Sequence, residues 1–582
     1  MPHATQPSPG LQAFILCGPG VSLNTFTSSP KDLPKALIPI ANRPMVWYPL
    51  DWCYRMGVTD ITLITPPESA PPLESALKTN PALTSLTPKP EVLSPADLTQ
   101  TTGTGELLRL PEVQKAITSD FVILPCDLIS EVEGSKIVQQ WLTLNPLTVS
   151  EKTGHHKGGM GVFYPTQGLE GISHKKDETD FIATVPLPQP PVPAPSGSLR
   201  PDVEELVTSM PTDTLRDLIE EDSSKSLKIR QTLIAQHGRV KIKTKHRDAH
   251  VYIFPKWVKE LAAKNEKFDS ISEDVLGWWA KASWQDGLGS KLGLDDILGQ
   301  KASDSIHEDD MATGEEIDIA AMSSTTSSNH TPHPTGNLPV FASRVRTTAT
   351  PPSQPTNPPP FLAYVQPSLP STVTAPTTAH PLIRRIDTSA ALLNTSLYLA
   401  KQNPSDNPLA QEHKVHPSAN VGMQARVSTE DSLVAENVKL GMRSNIKETI
   451  IGPNCEIGAN ARLTRCLLMD GVSVGDGVQL TGCIVGRRAK IEGMKPAEPA
   501  AAPAEGAAEG EKPAKQKKKK GGDGEGEDDR TKLTECEVAP GYVVEVGTVS
   551  KGEKLMAFDT EGDMDDFDDD DDDQDDGEGM EL

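Results

Sequence analysis

Several residues in the first quarter of the chain have the types and order that handle phosphate. An apolar run from Phe14 to Cys17 leads into a loop with Gly18 and Gly20, and Lys35 follows in the string P-K-A-L-I-P-I-A-N-R-P-M. Glycine loops let backbone N–H groups approach phosphate oxygens because no Cβ stands in the way. Gly103 lies in T-T-G-T-G-E-L-L-R, which opens a helical stretch, and Asp127 ends the buried run D-F-V-I-L-P-C-D-L-I. A carboxylate at a strand end is the hard oxygen donor that Mg²⁺ takes together with phosphate oxygens. Each group also has a plainer role: a tight turn for the glycines, a surface position for Lys35, a turn cap for Asp127. A lone G-x-G is a weak signal; the string around Lys35 is far more specific.

The elements that must position these residues read as an α/β pattern. V-K-I-K (Val240 to Lys243) and V-Y-I-F (Val251 to Phe254) read as strands, and W-V-K-E-L-A-A-K and E-D-V-L-G-W-W-A-K-A-S-W as helices. Pro66 to Pro90 reads as a loop and Pro186 to Pro201 as a Pro-rich insert. The His155–His156 pair reads as exposed loop. Trp278, Trp279 and Trp284 suit packing or a subunit interface. The first domain is expected over 11–290, then a flexible linker rich in Ser, Thr and Pro over 291–357. A strand–helix connector over 358–405 follows, with a strand at Phe361 to Gln366 and a helix at Ser389 to Gln402.

A second pattern is metrical. Val434, Leu440, Ile446, Ile451, Ile457, Leu463, Leu468, Val474, Leu480, Val485 and Ile491 are separated by six, six and five residues in turn, a 17-residue cycle. Hexapeptide spacing marks a β-solenoid whose stacked coils bury an aliphatic ladder. L-T-R-C begins at Leu463, L-T-G-C at Leu480 and L-T-E-C at Leu533, so the second step is 53 residues instead of 17. The solenoid is therefore expected over 411–494 and 531–556, with a disordered insert over 495–530 that carries the lysine run Lys517 to Lys520. Cys466, Cys483 and Cys536 fall one coil apart. Without a C-x-x-C pair they read as small reduced core residues, not as a metal site.

Bulk properties bound the rest. The chain has 582 residues and a formal charge of −25. Fifteen acids lie between Asp559 and Glu581, and without them the charge is about −10. The stretch 557–582 thus reads as an acidic disordered tail. The seven cysteines are scattered, and no leader peptide or membrane-length apolar run is evident, so a reducing, cytosolic setting is expected, with no membrane and no direct nucleic-acid partner.

The Gly18–Lys35 frame is similar to the start of the sugar-phosphate nucleotidyltransferases, whose loop reads roughly G-G-x-G-x-R and whose lysine sits in P-K-x-L. The resemblance implies that Lys35 and the glycines face phosphates, that T-T-G-T-G-E matches a base-contacting G-T-A segment, and that Asp127 matches a metal-holding aspartate. The departures matter as much. The loop is one residue shorter, and Ser22 or Leu23 stands where an arginine is expected. Serine cannot supply a permanently charged fork. No F-x-E-K-P run is present, N-A-G becomes D-A-H (Asp248 to His250), and Cys126 replaces a small residue before Asp127. W-x-D-I-G has no counterpart; Asp387 is the nearest acid and reads as a helix cap. The expectation is therefore an α/β nucleotidyltransferase-like Rossmann-type domain followed by a left-handed parallel β-helix. Gly18, Gly20, Lys35, Gly103 and Asp127 form its relic nucleotide-binding set, without catalytic residues and without a cofactor beyond residual nucleotide or Mg²⁺.

L-P-C-D-L-I, L-K-I-R-Q-T-L-I, H-R-D-A-H-V-Y-I-F, D-S-I-S-E-D and T-R-C-L-L-M-D-G-V-S-V resemble the gamma-type subunits of translation initiation factor 2B. That resemblance covers about 11–290 and 358–556. It implies a non-catalytic subunit of the exchange factor for translation initiation factor 2, pairing with the epsilon subunit and other subunits of factor 2B and helping to bind factor 2. The alternative in the same architecture is a mannose-1-phosphate guanylyltransferase.

Overall fold

The structure is a computed structural model that describes residues 8–99, 101–148, 156–167, 172, 178–221, 225–227, 229–298, 358–368, 381–493 and 530–557. His155, the lysine run, nearly all of the insert and the linker, and the tail from 558 lie outside the described residues. The chain divides into two units. The first comprises residues 1–20, 30–38 and 44–387, and the second 21–29, 39–43 and 388–582.

The first unit is built on a nine-stranded mixed sheet. Four parallel strands form one half: Glu91–Leu93, Asp60–Ile64, Gln12–Leu16 and Phe121–Pro125, in that spatial order. In chain order this is 3-2-1-4, the arrangement of doubly wound sheets. Ala13, Phe14 and Ile15 are all buried, as are Val122, Ile123 and Leu124. Continuous burial is what a parallel strand covered on both faces demands.

The other half holds Lys241–Phe254, Met160–Pro165, Phe361–Val365, Val203–Pro211 and Asp180–Pro186. Val240–Lys243 and Val251–Phe254, expected as two strands, fall at the ends of one long strand, which starts at Lys241 and leaves Val240 outside. It pairs with Asp180–Pro186 at one end and with Phe121–Pro125 at the other. Phe361–Val365, expected in a connector, lies inside this sheet, parallel to Met160–Pro165 and antiparallel to Val203–Pro211. The apolar core also runs past 290, since Leu292, Leu294, Ile297 and Leu298 are buried.

The stretch from Pro66 to Pro90 is helical where a loop was expected, with helices Ala70–Thr79 and Pro81–Thr84. Pro71, Pro72 and Pro81 stand at helix starts, where a missing N–H costs nothing, and Leu73 and Leu77 turn inward. Trp279 and Trp284 are buried while Trp278 is 40% exposed. His156, expected in an exposed loop, is half-buried, and its Nε2 lies 2.7 Å from the Leu298 carbonyl oxygen.

The second unit is a three-sided parallel β-helix, the left-handed class that hexapeptide spacing predicts. Three six-stranded parallel sheets run from Asn420–Val421 to Lys554–Leu555. Strand partners follow the 17-residue step, as in Leu463 with Leu480 and Ile451 with Leu468. The 53-residue step keeps the register: Leu480 pairs with Leu533, and Ile491 with Val544. Cys466, Cys483 and Cys536 stack in one buried column and are free thiols. At one corner the left-handed backbone recurs once per coil at Asn437, Asn454, Gly471, Arg488 and Gly541. At another, a Cβ on Gly441 would sit 2.4 Å from the Gly458 carbonyl carbon of the next coil, so only glycine fits there. Ser389–Lys401 is a helix capped by Thr388, whose hydroxyl accepts from the Ala391 N–H at 3.2 Å.

Candidate functional site

Adjacent parallel strands 1 and 4 place the ends of Gln12–Leu16 and Phe121–Pro125 side by side. In doubly wound sheets the crevice for a ligand opens there, beyond the carboxyl ends, where strand order reverses. A cavity of about 150 Å³ occupies this place. It is lined among others by Gly18, Lys35, Thr104, Cys126, Asp127, His250 and Arg385.

Asp127 does not end a strand; it sits in the turn between Phe121–Pro125 and Leu128–Ser130. Its side chain is buried, and among the described residues it caps no turn. Oδ2 accepts from Lys35 Nζ at 2.7 Å, and Oδ1 lies 3.4 Å from Arg385 Nε. Burial pushes the Asp127 carboxyl up, but Lys35 and Arg385 outweigh it and hold it well below the usual carboxylate range. Burial alone would lower Lys35, yet the charge of Asp127 raises it. Arg385 likewise overcomes its burial through Asp127 and Asp387. All three are therefore charged, and the floor of the cavity carries two cations on one carboxylate.

Arg385 arrives through a short antiparallel pairing. Ile383–Arg385 lies on Leu128–Ser130 with Arg385 opposite Leu128, and the Ile386 N–H donates to the Asp127 carbonyl at 2.9 Å. The sequence reading missed Arg385 altogether. The signal was the I-R-R-I-D string beside Asp387, but nothing local shows which strand it joins. Asp387, expected as a helix cap, instead pairs with Arg247 at 2.5 Å, and Thr388 caps the helix.

Of the other expected site residues, Gly18 lines the cavity and Gly20 adopts φ +84° just beyond it in sequence. Gly103 precedes the short helix Thr104–Leu107, and Thr104, not Gly103, lines the cavity. A Cβ on Gly103 would collide with the Asp269 carbonyl oxygen at 2.3 Å, so this glycine serves close packing. Ser22 and Leu23, at the missing arginine's position, fall in the second unit; there the Thr25 hydroxyl donates to Glu537 Oε2 at 2.7 Å. Cys126, in the turn after Phe121–Pro125, faces Cys17, just past the end of Gln12–Leu16. Its hydrogen bond and burial push the Cys17 thiol well up.

A second cavity, about 310 Å³, shares Thr104, His250 and Arg385 with the first. It is lined by Asp180, Asp248, Arg247 and several hydroxyls. Asp248 is pushed up to about 7 by burial and by the charge of Asp180. Its Oδ1 accepts from the His250 N–H at 2.8 Å, and its Oδ2 from the Tyr252 hydroxyl. His250 has φ +52°, left-handed backbone that a non-glycine residue adopts at a cost of about 1–2 kcal/mol. The glycine of the N-A-G run fits that conformation freely.

The nucleotidyltransferase fold implies a divalent ion at the strand-end acid, and the residues present do not fit one. Both oxygens of Asp127 are occupied by cations of the chain, and Asp387 is occupied by Arg247. Among the described residues no cluster of three or more His, Cys, Asp or Glu is placed to hold a metal. Mg²⁺ wants several hard oxygens and net negative charge; here the charge is reversed.

Residues 409–498 match the family model described as the GMPPB C-terminal domain. Translation initiation factor eIF2B subunit gamma of Schizosaccharomyces pombe is 27% identical over 274 residues, 47% of this chain and 52% of that protein. The match thus spans about half the length of that relative. No helix among the described residues is long and apolar enough to cross a membrane. The chain joins a doubly wound α/β unit to a hexapeptide β-helix, and its similarities are to the GMPPB C-terminal domain and to a gamma subunit of translation initiation factor eIF2B.

Proposed function

We propose that this chain is a regulatory, non-catalytic subunit of the guanine nucleotide exchange factor for translation initiation factor 2. It pairs with an epsilon subunit, works with the other factor 2B subunits in the cytosol, and promotes GDP/GTP exchange without performing it. The similarity to the Schizosaccharomyces pombe gamma subunit carries this reading. The non-catalytic half is supported by Asp127, whose oxygens are held by Lys35 and Arg385. Nucleotidyl transfer depends on electrostatic stabilisation of a leaving pyrophosphate, and the donor set lacks both the loop arginine and a free metal acid. The test is a pull-down of the tagged chain from its own cell extract, read by mass spectrometry. Recovery of factor 2B subunits with factor 2 is the expected result; recovery of the chain alone, or with copies of itself, overturns it.

A second reading, a mannose-1-phosphate guanylyltransferase, is favoured by the match of residues 409–498 to the GMPPB C-terminal domain. It requires Mg²⁺-dependent pyrophosphate release from GTP and sugar phosphate, abolished by Lys35→Ala or Asp127→Ala. The regulatory reading expects no release. Within it, the cavity around Gly18, Lys35 and Asp127 retains phosphate or nucleotide binding without turnover.

A further inference from the structure

We propose that the cavity at the strand ends takes phosphate groups without a divalent metal, with Arg385 supplying the charge that a metal ion would bring. This rests on the reading that the cavity retains phosphate or nucleotide binding. A divalent ion needs oxygen ligands that are free to turn toward it. The Asp127 oxygens face Lys35 at 2.7 Å and Arg385 at 3.4 Å, and Asp387 faces Arg247 at 2.5 Å. In the inner cavity an ion would meet Lys35 and Arg385 and no lining carboxylate but Asp127.

An anion meets the opposite situation. Lys35 and Arg385 against Asp127 leave one positive charge in surplus on the cavity floor. The side-chain hydrogen bond of Arg385 among the described residues runs from Nε to Asp127, so both Nη groups remain to donate, and Arg385 lines both cavities. Lys35 spends one ammonium proton on Asp127 and has two more. A guanidinium fork beside an ammonium suits phosphate oxygens, and the pairing with Asp127 fixes both cations before any ligand arrives. The inner cavity, about 150 Å³, has the scale of phosphate groups; the adjoining 310 Å³ is the space left for the rest of a ligand.

Calorimetric titration of the purified full chain with inorganic pyrophosphate, and separately with GTP, in EDTA and in millimolar Mg²⁺, decides the matter. The expected result is binding in EDTA at least as tight as in Mg²⁺. Arg385→Gln should weaken the EDTA binding about tenfold or more, the loss of a charge-assisted bond. Arg385→Lys keeps a cation beside Asp127 but loses the fork, and should fall between. Binding that requires Mg²⁺ overturns the metal-free proposal and leaves the nucleotide reading standing. No heat in either buffer at millimolar ligand overturns both. Unchanged affinity in Arg385→Gln removes Arg385 from the site. Should that variant fail to fold, shown by circular dichroism, the wild-type EDTA comparison and Arg385→Lys still decide.

Discussion

The β-helix and the strand-end site solve opposite problems. In the β-helix each buried group repeats the work of the one a coil earlier: Ile446, Leu463, Leu480 and Leu533 form one aliphatic column, held by parallel pairing between neighbouring coils. At the strand ends no group repeats another. Lys35, Asp127 and Arg385 come from three distant stretches; Asp127 makes both buried cations tolerable, and they make it so in turn. Regularity spreads stability over many similar contacts; the site concentrates it in one ion-paired cluster. One region should therefore yield gradually to substitution and the other abruptly.

The largest effect should come from Asp127→Ala, which leaves two largely buried cations without their carboxylate. Removing one partner of a buried pair costs about 3–5 kcal/mol, readable as a lower midpoint in urea unfolding followed through the seven tryptophans, all of which lie in the first unit. A change below about 1 kcal/mol would mean that solvent already screens the cluster, and the contrast with the β-helix would fail.

The next two changes separate sterics from backbone preference inside the β-helix. Gly441→Ala drives a methyl into the next coil and should cost about 1–3 kcal/mol. Gly541→Ala has open space around its Cβ but φ +71°, and should cost about 1 kcal/mol. Paired thermal melts of the two variants check the order; equal losses would show that the coils move apart to admit the methyl.

Asp248 offers a smaller, pH-dependent effect. Its folded pKa is raised from 3.8 to about 7, so its neutral form favours the folded state. That contribution is complete below the unfolded value and is lost as pH rises through the folded one. The wild type should therefore lose about 1 kcal/mol between pH 6 and 7 from this group, and Asp248→Asn should flatten that part of the melting-temperature profile. The smallest effect belongs to Lys439, which pairs with Glu456 on the exposed face at 2.7 Å. Lys439→Ala should leave the melting curve where it was, because solvent competes for both charges.

The same contrast explains what could be read before the structure was known. The six-six-five spacing carried the β-helix because its constraint is local and repeated; even the 53-residue gap is visible as a delayed L-T-E-C. Lys35 stood out through the string P-K-A-L-I-P-I-A-N-R-P-M, and Asp127 because it closes an apolar run. Arg385 did not, because its role depends on pairing with Leu128, 257 positions earlier. Phe361–Val365 was legible as a strand, but not as a central member of the first unit's sheet, for the same reason. Asp387 was misread because a helix start offers an easy explanation for any nearby acid, while Thr388 was the better cap. The helices after Pro66 were missed because proline was weighed as a breaker and not as a first-turn residue.

One further consequence follows from the register kept across the 53-residue step. Coil-to-coil bonds hold each strand to its immediate neighbours, so the rungs on either side keep their register whatever number of residues separates them. The entropy of closing a loop grows only logarithmically, about 0.6 kcal/mol per doubling of length. Lengthening the sequence between these two rungs is therefore nearly neutral for folding, and the β-helix can acquire or discard whole peptide modules there without altering a single rung.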